Sequence, residues 1–144
     1  MSTRGARKWS TEEWLAVVTV VGEGEAPKHV QRIRAGKHEL LADELASLGG
    51  AEAGPAPFAY VLSGLGACTS ITLRMYAERK GWNLGTVTVC LRLFREETGI
   101  RVEREVAIGG ALVDAQRARL ADICERTPVT LALKSGIGIK TTIR

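Results

Sequence analysis

The sequence predicts an α+β protein in which one long helix lies against an antiparallel sheet. Three observations predict this class: short alternating stretches in the N-terminal part, an apolar helical stretch from Phe58 to about Lys80, and two alternating strands joined by "EETG" after it. The predicted order is β-β-β-α-β-β-α-β. A chain of 144 residues is expected to form a single domain, residues 1–144.

The N-terminal part is predicted to be a β-meander that follows a loose tail at residues 1–10. Its three strands are "EWLAVVTVV", "KHVQRIRA" and "HELLAD", with turns at "GEGEAP" and Gly36. The next stretch, "ELASLGGAEAGPAP", is predicted to be a loop because it combines adjacent glycines with two prolines. The second of these prolines, Pro57, suits the first turn of a helix.

The long helix is predicted to be buried on most of its faces, because it is apolar nearly all round as far as Ala77. Gly81 fits a C-terminal cap. Gly64 and Gly66 stand inside this helix, where each glycine costs about 1 kcal/mol relative to alanine. They indicate either a break near Gly66 or the close approach of another backbone.

The C-terminal part is predicted to hold two strands, a helix and a last strand. The strands are "TVTVCLRLF" and "IRVEREVAI", where Arg104 interrupts an apolar row. Asp114 is expected to cap the helix, and Pro128 predicts a break or kink after Thr127. "TLALKSG" is a short helical piece or turn, and "IGIKTTI" alternates as the last strand. The apolar stripe of the helix contains Leu120, Ile123 and Cys124, with Thr127 on the same stripe.

Composition narrows the classes of function. The net charge is +4, but the signs alternate over much of the chain and aromatic residues make up 5%, which favours a solvated surface over a nucleic-acid interface. No apolar run reaches the ~20 residues of a membrane span, and the N-terminus lacks an apolar signal region. A cytoplasmic protein without a membrane partner is therefore expected.

The three cysteines are far apart in the sequence and remote from both histidines. They favour neither a disulfide framework nor a metal site.

Cys68, in the middle of the long helix, has two interpretations. It is either a small core residue, as most free cysteines are, or a reactive thiol. The second interpretation requires the helix to restart near Gly66, since unpaired backbone N–H groups in a first turn favour a thiolate. Composition alone favours the core residue.

The stretch "GPAPFAYVLSGLGACTSITLRMYAERKGW" resembles the signature of the OsmC/Ohr family, the osmotically induced and organic-hydroperoxide-resistance proteins, and is most similar to its OsmC-like branch. "ELLADE", "TVTVCLR" and "RTPVTLAL" match in order and spacing, so the resemblance extends over about residues 28–143. It implies an intertwined homodimer with two long helices at its centre and a site at the subunit interface.

The resemblance also implies a chemistry. Cys68 matches the peroxidatic position, whose thiolate attacks a hydroperoxide and becomes a sulfenic acid. A second cysteine then forms a disulfide, and an external dithiol reductant restores the pair without a cofactor. That second cysteine precedes a proline in the family, where this chain has Thr127-Pro128. Cys124, three residues earlier, is the candidate resolving thiol, and its alternative role is to fill the apolar stripe.

Two further family positions depart from the pattern. The activating glutamate of the peroxidases corresponds to Ala59, which has no carboxylate. The activating arginine has no firm counterpart. Its candidates are Arg32 and Arg34 in the second strand and Lys28 and His29 leading into it, and each is equally explained as a solvated charge. With Thr127, these two arginines are the candidate substrate-binding residues. Cys90, opposite the apolar face of its strand, is interpreted as structural or incidental.

Two functions follow from these observations. The first is a thiol-dependent peroxidase that reduces organic hydroperoxides, which the retained "ACTS" and Cys124 favour. The second is a non-catalytic protein that binds a small apolar molecule in the cleft of the dimer, which the loss of the glutamate at Ala59 favours.

Overall fold

The computed structural model describes residues 15–144, so the predicted loose tail at residues 1–10 lies outside the described residues. The chain divides into two compact units. The first ends at Pro57 and the second runs from Phe58 to Arg144. The predicted α+β class is confirmed, since the first unit is mainly sheet and the second combines helices with a hairpin.

The first unit contains the predicted meander. Its strands are β1 (Val18–Gly22), β2 (Gln31–Ala35) and β3 (His38–Ala42), which form an antiparallel sheet in the order β1-β2-β3. The register places Ile33 opposite both Val20 and Leu40, so an apolar row crosses one face of the sheet. Because neighbouring residues of a strand alternate between faces, Arg32 and Arg34 belong to the other face.

Asp43 organises the loop that follows β3. Its side chain is 2% exposed, and its carboxylate accepts backbone N–H groups from Glu44 at 2.8 Å and from Ala51 and Ala53 at 3.1 Å each. The hydrogen bond from Ala53 is the main reason why the pKa of Asp43 lies below its ordinary value. The predicted loop is therefore ordered around one ionised carboxylate, and it contains a short 3-10 turn at Ala46–Leu48.

The second unit has its elements in the predicted order, except that it ends with a helix instead of the predicted last strand. It contains α1 (Pro57–Lys80), β4 (Val87–Glu96), β5 (Gly99–Ile108), α2 (Asp114–Cys124) and α3 (Pro128–Ser135). The strands β4 and β5 form a two-stranded antiparallel sheet. No helix in the described part of the chain is both long enough and apolar enough to cross a bilayer.

The helix α1 is continuous through both internal glycines, so the predicted break near Gly66 is wrong. A Cβ atom at Gly66 would lie 2.8 Å from Cδ1 of Leu91 on β4. The glycine therefore permits close packing of a β4 side chain against the helix, and no interruption of the backbone is needed. A Cβ atom at Gly64 would meet nothing within 4 Å.

The prediction that α1 is buried on most faces is wrong for the single chain. Its buried residues recur every fourth position: Leu65, Thr69, Leu73 and Ala77. Large apolar side chains elsewhere on the helix are exposed, among them Val61, Ile71 and Met75. The physical reason is that a two-stranded sheet and two short helices can cover one stripe of a 24-residue helix.

The core of the second unit joins α1 to α2. Leu73 and Ala77 from α1 pack with three residues of α2 and with Leu84, which precedes β4. The α2 residues in this cluster are Leu120, Ile123 and Cys124. The predicted apolar stripe of α2 is thus confirmed as its buried face.

Two details of the C-terminal part differ from prediction. Asp114 is the first residue of α2 rather than its cap. The N-cap is Val113, whose N–H donates to the side chain of Gln116 at 2.9 Å. The predicted last strand, residues 137–143, has no regular structure in the described chain. Its isoleucines are exposed, since alternation alone does not form a strand without a neighbouring edge to pair with.

The break predicted at Pro128 is confirmed. α2 ends at Cys124 and α3 begins at Pro128, with Thr127 as the N-cap of α3. Proline at the first helical position needs no N–H partner, and its fixed φ suits a helix start. Residues 124–130 form the resulting α2–α3 corner.

Candidate functional site

Cys68 lies near the middle of α1 and is partly exposed. Its thiol is 3.9 Å from the hydroxyl of Thr72, one helical turn later. A thiol in the middle of a continuous helix is far from any unpaired N–H group, so the interpretation of Cys68 as a first-turn residue is wrong. It is also not a fully buried core residue.

The surroundings of Cys68 along α1 are apolar. Residues spaced alternately by three and four positions share one side of the helix, and this exposed stripe consists of Val61, Gly64, Cys68, Ile71 and Met75. The exposed fractions of its three large side chains lie between 42% and 58%. A hydroperoxide or other ligand with an alkyl group therefore meets an apolar surface around the thiol.

Cys124, the last residue of α2, is 8% exposed. Burial raises the pKa of its thiol above the ordinary value for cysteine. The positive charge of Arg104 opposes that rise in pKa, whereas the charge of Glu125 adds to it. At neutral pH the Cys124 thiol is therefore protonated and shielded from solvent.

Arg104 connects β5 with all three helices. Its Nη1 atom donates to the hydroxyl of Thr69 on α1 at 2.9 Å and to that of Thr130 on α3 at 2.8 Å. Its Nη2 atom donates to the carbonyl oxygen of Cys124 at 2.8 Å. One guanidinium thus joins the neighbour of Cys68 to Cys124 itself.

Thr127, predicted to bind substrate, is fully buried in the chain. Its hydroxyl lies 2.6 Å from that of Thr130 and accepts the N–H of Thr130 at 3.4 Å. Because the Thr130 hydroxyl donates to the Cys124 carbonyl at 3.2 Å, the Thr127 hydroxyl supplies the proton between the two threonines. The observed role of Thr127 is to cap α3, and its contact with substrate stays a prediction.

The two candidate redox cysteines lie at different sides of α1: Cys68 is on its exposed stripe, and Cys124 is in the cluster at its buried face. Cys124 belongs to the same buried cluster as Leu73, which follows Cys68 by five positions. At ~3.6 residues per turn, those five positions turn the two side chains ~140° apart around the helix. A Cys68–Cys124 bond within one chain would therefore connect the buried face of α1 with its exposed stripe.

Arg32 and Arg34 belong to the first unit, on β2. Arg32 forms an ion pair with Glu23 at 2.7 Å, and Arg34 forms one with Glu39 at 3.4 Å. Both guanidinium groups are largely exposed. They line a cavity of about 530 Å³ on their face of the sheet. Their assignment to substrate binding or to thiolate activation stays a prediction.

A second cavity, of about 350 Å³, lies between α1 and β4. Its α1 wall includes Ala67, which directly precedes Cys68, and the hydroxyls of Ser63 and Ser70. Its β4 wall is apolar and consists of Val87, Val89 and Leu91. This cavity is large enough for a small apolar molecule with one polar group.

The site has neither an acidic group in the first turn of α1 nor, within the described residues, a metal-binding cluster. The first turn of α1 contains no acidic residue, which agrees with Ala59 at the position of the family glutamate. Across residues 15–144, no cluster of three or more histidine, cysteine, aspartate or glutamate side chains is able to hold a metal ion.

Sequence reasoning did not assign Arg104 to the site, although the signal was visible. A charged residue in the inward row of an otherwise apolar strand needs buried polar partners. The partners come from three separate helices, so neither sequence spacing nor strand pattern identifies them.

Comparisons with known proteins agree with this architecture. A family model described as "OsmC-like protein" matches residues 49–142, more than half of the chain. An OsmC-like protein from Mycoplasma pneumoniae has a similar structure, with a TM-score of 0.72 and 18% identity over 85% of this chain and 89% of that one. A comparison with curated protein sequences gave no significant match.

Two further solved structures are described as organic hydroperoxide resistance proteins. The one from Legionella pneumophila has a TM-score of 0.64 and 20% identity, covering 84% of this chain and 90% of that one. The one from Vibrio cholerae, described as putative and with captopril bound in one of its active sites, has a TM-score of 0.61 and 19% identity, covering 84% and 85%. At these identities the structures show a shared fold, which confirms the predicted OsmC-like architecture.

Proposed function

The chain belongs to the OsmC-like protein family, and from this premise we propose that it is a cytoplasmic, thiol-dependent peroxidase that reduces organic hydroperoxides. The observation that carries the proposal is the partly exposed thiol of Cys68 on the apolar exposed stripe of α1. Apolar surroundings favour hydroperoxides with an alkyl group over hydrogen peroxide, because binding then buries apolar surface. The two organic hydroperoxide resistance proteins of the same fold support this substrate class.

The proposed cycle has three steps. The Cys68 thiolate attacks the terminal oxygen of the hydroperoxide, so an S–O bond forms, the O–O bond breaks and the alkoxide leaves with a proton as the alcohol. Cys124 then attacks the sulfenic sulfur as a thiolate, which forms the disulfide and releases hydroxide, protonated to water. An external dithiol reduces the disulfide by exchange and is itself oxidised.

We further propose that the chain acts as a homodimer in which the α1 helices of two copies face each other. The exposed stripe repeats at alternating intervals of three and four residues, the spacing of a helix–helix seam. Gly64 stands in this stripe with open space beside it. Since Gly66 packs against Leu91 of its own chain, the close approach of two helices is proposed at Gly64 rather than at both glycines.

A second candidate function is the binding of a small apolar molecule without catalysis. Ala59 favours it, since the first turn of α1 lacks the carboxylate that activates the thiolate in peroxidase members. The cavity between α1 and β4 offers a place for such a ligand, on the side of α1 that faces the sheet rather than on the exposed stripe that holds Cys68.

Rapid mixing of the reduced protein with cumene hydroperoxide or hydrogen peroxide tests the two functions. The peroxidase predicts that cumene hydroperoxide consumes the Cys68 thiol faster and that peptide mass spectrometry finds a Cys68–Cys124 bond. Cys124→Ser should instead accumulate sulfinic acid at Cys68. Cys90→Ser, which removes an exposed thiol on β4, is the matched control and should behave as the wild type.

Failure of both peroxides to oxidise Cys68 would contradict the peroxidase. Saturable binding of an apolar fluorescent probe would then support the non-catalytic function. Oxidation that stops at sulfinic acid in the wild type would leave Cys124 as a structural residue and exclude the proposed resolving step.

A further inference from the structure

We propose that Arg104 is the positioning residue of Cys124: its guanidinium holds the α2–α3 corner against α1 and presents a positive charge beside the resolving thiol. This inference rests on the proposed function, because positioning matters for catalysis only if Cys124 resolves a sulfenic acid. Arg104 stands on β5, outside the helices that carry the two cysteines.

The geometry of the three hydrogen bonds supports positioning. Arg104 binds the backbone of Cys124 itself, through the carbonyl oxygen at 2.8 Å, and the Thr130 hydroxyl at 2.8 Å. Its third bond, to Thr69 at 2.9 Å, fixes the same guanidinium to α1 one residue after Cys68. A planar guanidinium with donors in a fixed fork constrains all three partners together, which a flexible ammonium group does not do.

The electrostatics support the second part of the proposal. Within residues 15–144, no carboxylate forms an ion pair with Arg104. Its charge is instead balanced by two hydroxyl groups and by the carbonyl end of α2, the negative end of that helix. Its charge also helps to lower the pKa of Glu125 without forming an ion pair with that carboxylate, and it would attract a thiolate formed at Cys124 in the same way.

Other charged and titratable groups near Cys124 come from α1 and from the α2–α3 corner. The helix α1 contributes the apolar residues Leu73 and Ala77 to the cluster and Tyr76 at its edge, whose hydroxyl accepts a hydrogen bond from Arg119 at 3.0 Å. Glu125, next in sequence, opposes a thiolate, but it is paired with Lys134 of α3. Arg104 is thus the cation that acts on Cys124 without a carboxylate partner of its own.

The first test isolates the Cys124 thiol. The ultraviolet absorbance of the thiolate is titrated in a Cys68→Ser, Cys90→Ser background, and the same background with Cys124→Ala is subtracted to remove the tyrosines. Arg104→Met should shift the titration of Cys124 to higher pH than in the Cys68→Ser, Cys90→Ser protein. Arg104→Lys should leave the titration of Cys124 near its position in that protein. Arg101→Met is the matched control, because Arg101 is an exposed cation on the same strand.

The second test measures positioning with all cysteines present. Diamide, a thiol oxidant that needs no peroxidase chemistry, is used to drive the Cys68–Cys124 disulfide. Arg104→Met and Arg104→Lys should both slow its formation by about tenfold or more, because both lose the forked contact. With cumene hydroperoxide, the first step should keep its rate while the sulfinic product at Cys68 increases.

The outcomes separate this inference from the proposed function. If Arg104→Met leaves both the titration and the diamide rate unchanged, Arg104 does not position Cys124. If Arg104→Met does not fold, Arg104→Lys decides, and a wild-type diamide rate in that variant overturns the inference. If the titration and diamide rate change as expected but no hydroperoxide oxidises Cys68, the positioning role stands and the peroxidase is wrong.

Discussion

Arg104 donates a hydrogen bond of 2.8 Å to the carbonyl oxygen of Cys124, which joins the inward face of β5 to the last residue of α2. The same carbonyl accepts the hydroxyl of Thr130 at 3.2 Å. The α2–α3 corner is therefore held by buried polar groups whose partners are all within the chain. Removing one such partner leaves another without a hydrogen bond, and that loss costs more than the bond itself contributes.

Thr127→Ala should destabilise this corner. The substitution removes the N-cap of α3 and the donor to Thr130, both of them buried. We expect a loss of about 1–2 kcal/mol in the free energy of unfolding, measured by urea denaturation. Thr127→Ser retains the hydroxyl and should lose less. Equal losses in the two variants would show that the methyl group, rather than the cap, stabilises the corner.

Cys124 should make stability depend on alkaline pH. Its pKa in the folded protein is raised, chiefly by burial, so the folded state holds the proton more tightly than the unfolded state. This contribution is fully present below the unfolded pKa of ~8.5 and is lost as pH rises through the higher folded value. Denaturation midpoints should therefore fall as pH rises above about 8.5.

The control for this effect is a pair of variants. Cys124→Ala removes the thiol and should flatten this part of the pH profile, whereas Cys90→Ala removes an exposed thiol and should leave the profile unchanged. A profile that is identical in the wild type and Cys124→Ala would contradict the shifted pKa.

The stability that Asp43 contributes should be lost at acidic pH, whereas that of Cys124 is lost at alkaline pH. Its pKa is lowered, first by the hydrogen bond from Ala53, so the stabilising contribution is present above the unfolded pKa of ~3.9. It is lost as pH falls through the lower folded value. Asp43→Asn keeps the size of the side chain but loses one acceptor oxygen, and it should expose the loop after β3 to proteolysis at neutral pH. Glu44→Gln, beside it, should not.

Much of the fold was predictable because its signals are local. Strand alternation identified the meander and the β4–β5 hairpin, and Thr127-Pro128 correctly marked the start of α3. The two misjudged features of α1, its continuity at Gly66 and its exposed stripe, depend on what packs against it. Leu91, 25 positions from Gly66, decides the first, and sequence periodicity carries no information on such a contact.

The candidate site was predictable only in part. Cys68 and Cys124 stand out as thiols and through the resemblance to a family. Only the structure shows that Cys124 shares a buried cluster with Leu73, which lies ~140° around α1 from Cys68. Arg104 was noticed as an interruption of an apolar row and not as part of the site. Its three partners lie 20 to 35 positions away, beyond any sequence pattern.

Gly64 and Gly66 provide a matched test of the proposed dimer. In an isolated chain, Gly64→Ala should stabilise α1 by about 1 kcal/mol, because alanine is the better helix former and its Cβ meets nothing within 4 Å. If two α1 helices meet at Gly64, the added methyl groups should separate them and weaken the dimer. Sedimentation over a range of protein concentrations distinguishes the two results, since dimer stability depends on concentration.

Gly66→Ala is the internal control for this experiment. Its Cβ would lie 2.8 Å from Leu91 Cδ1, at the tip of a flexible side chain of the same chain. It should therefore change the unfolding free energy through repacking of Leu91, with little effect on association. Weaker association for Gly64→Ala, together with unchanged association for Gly66→Ala, would support a dimer seam along the exposed stripe. A wild-type protein that stays monomeric at micromolar concentration, with Gly64→Ala more stable, would exclude that seam.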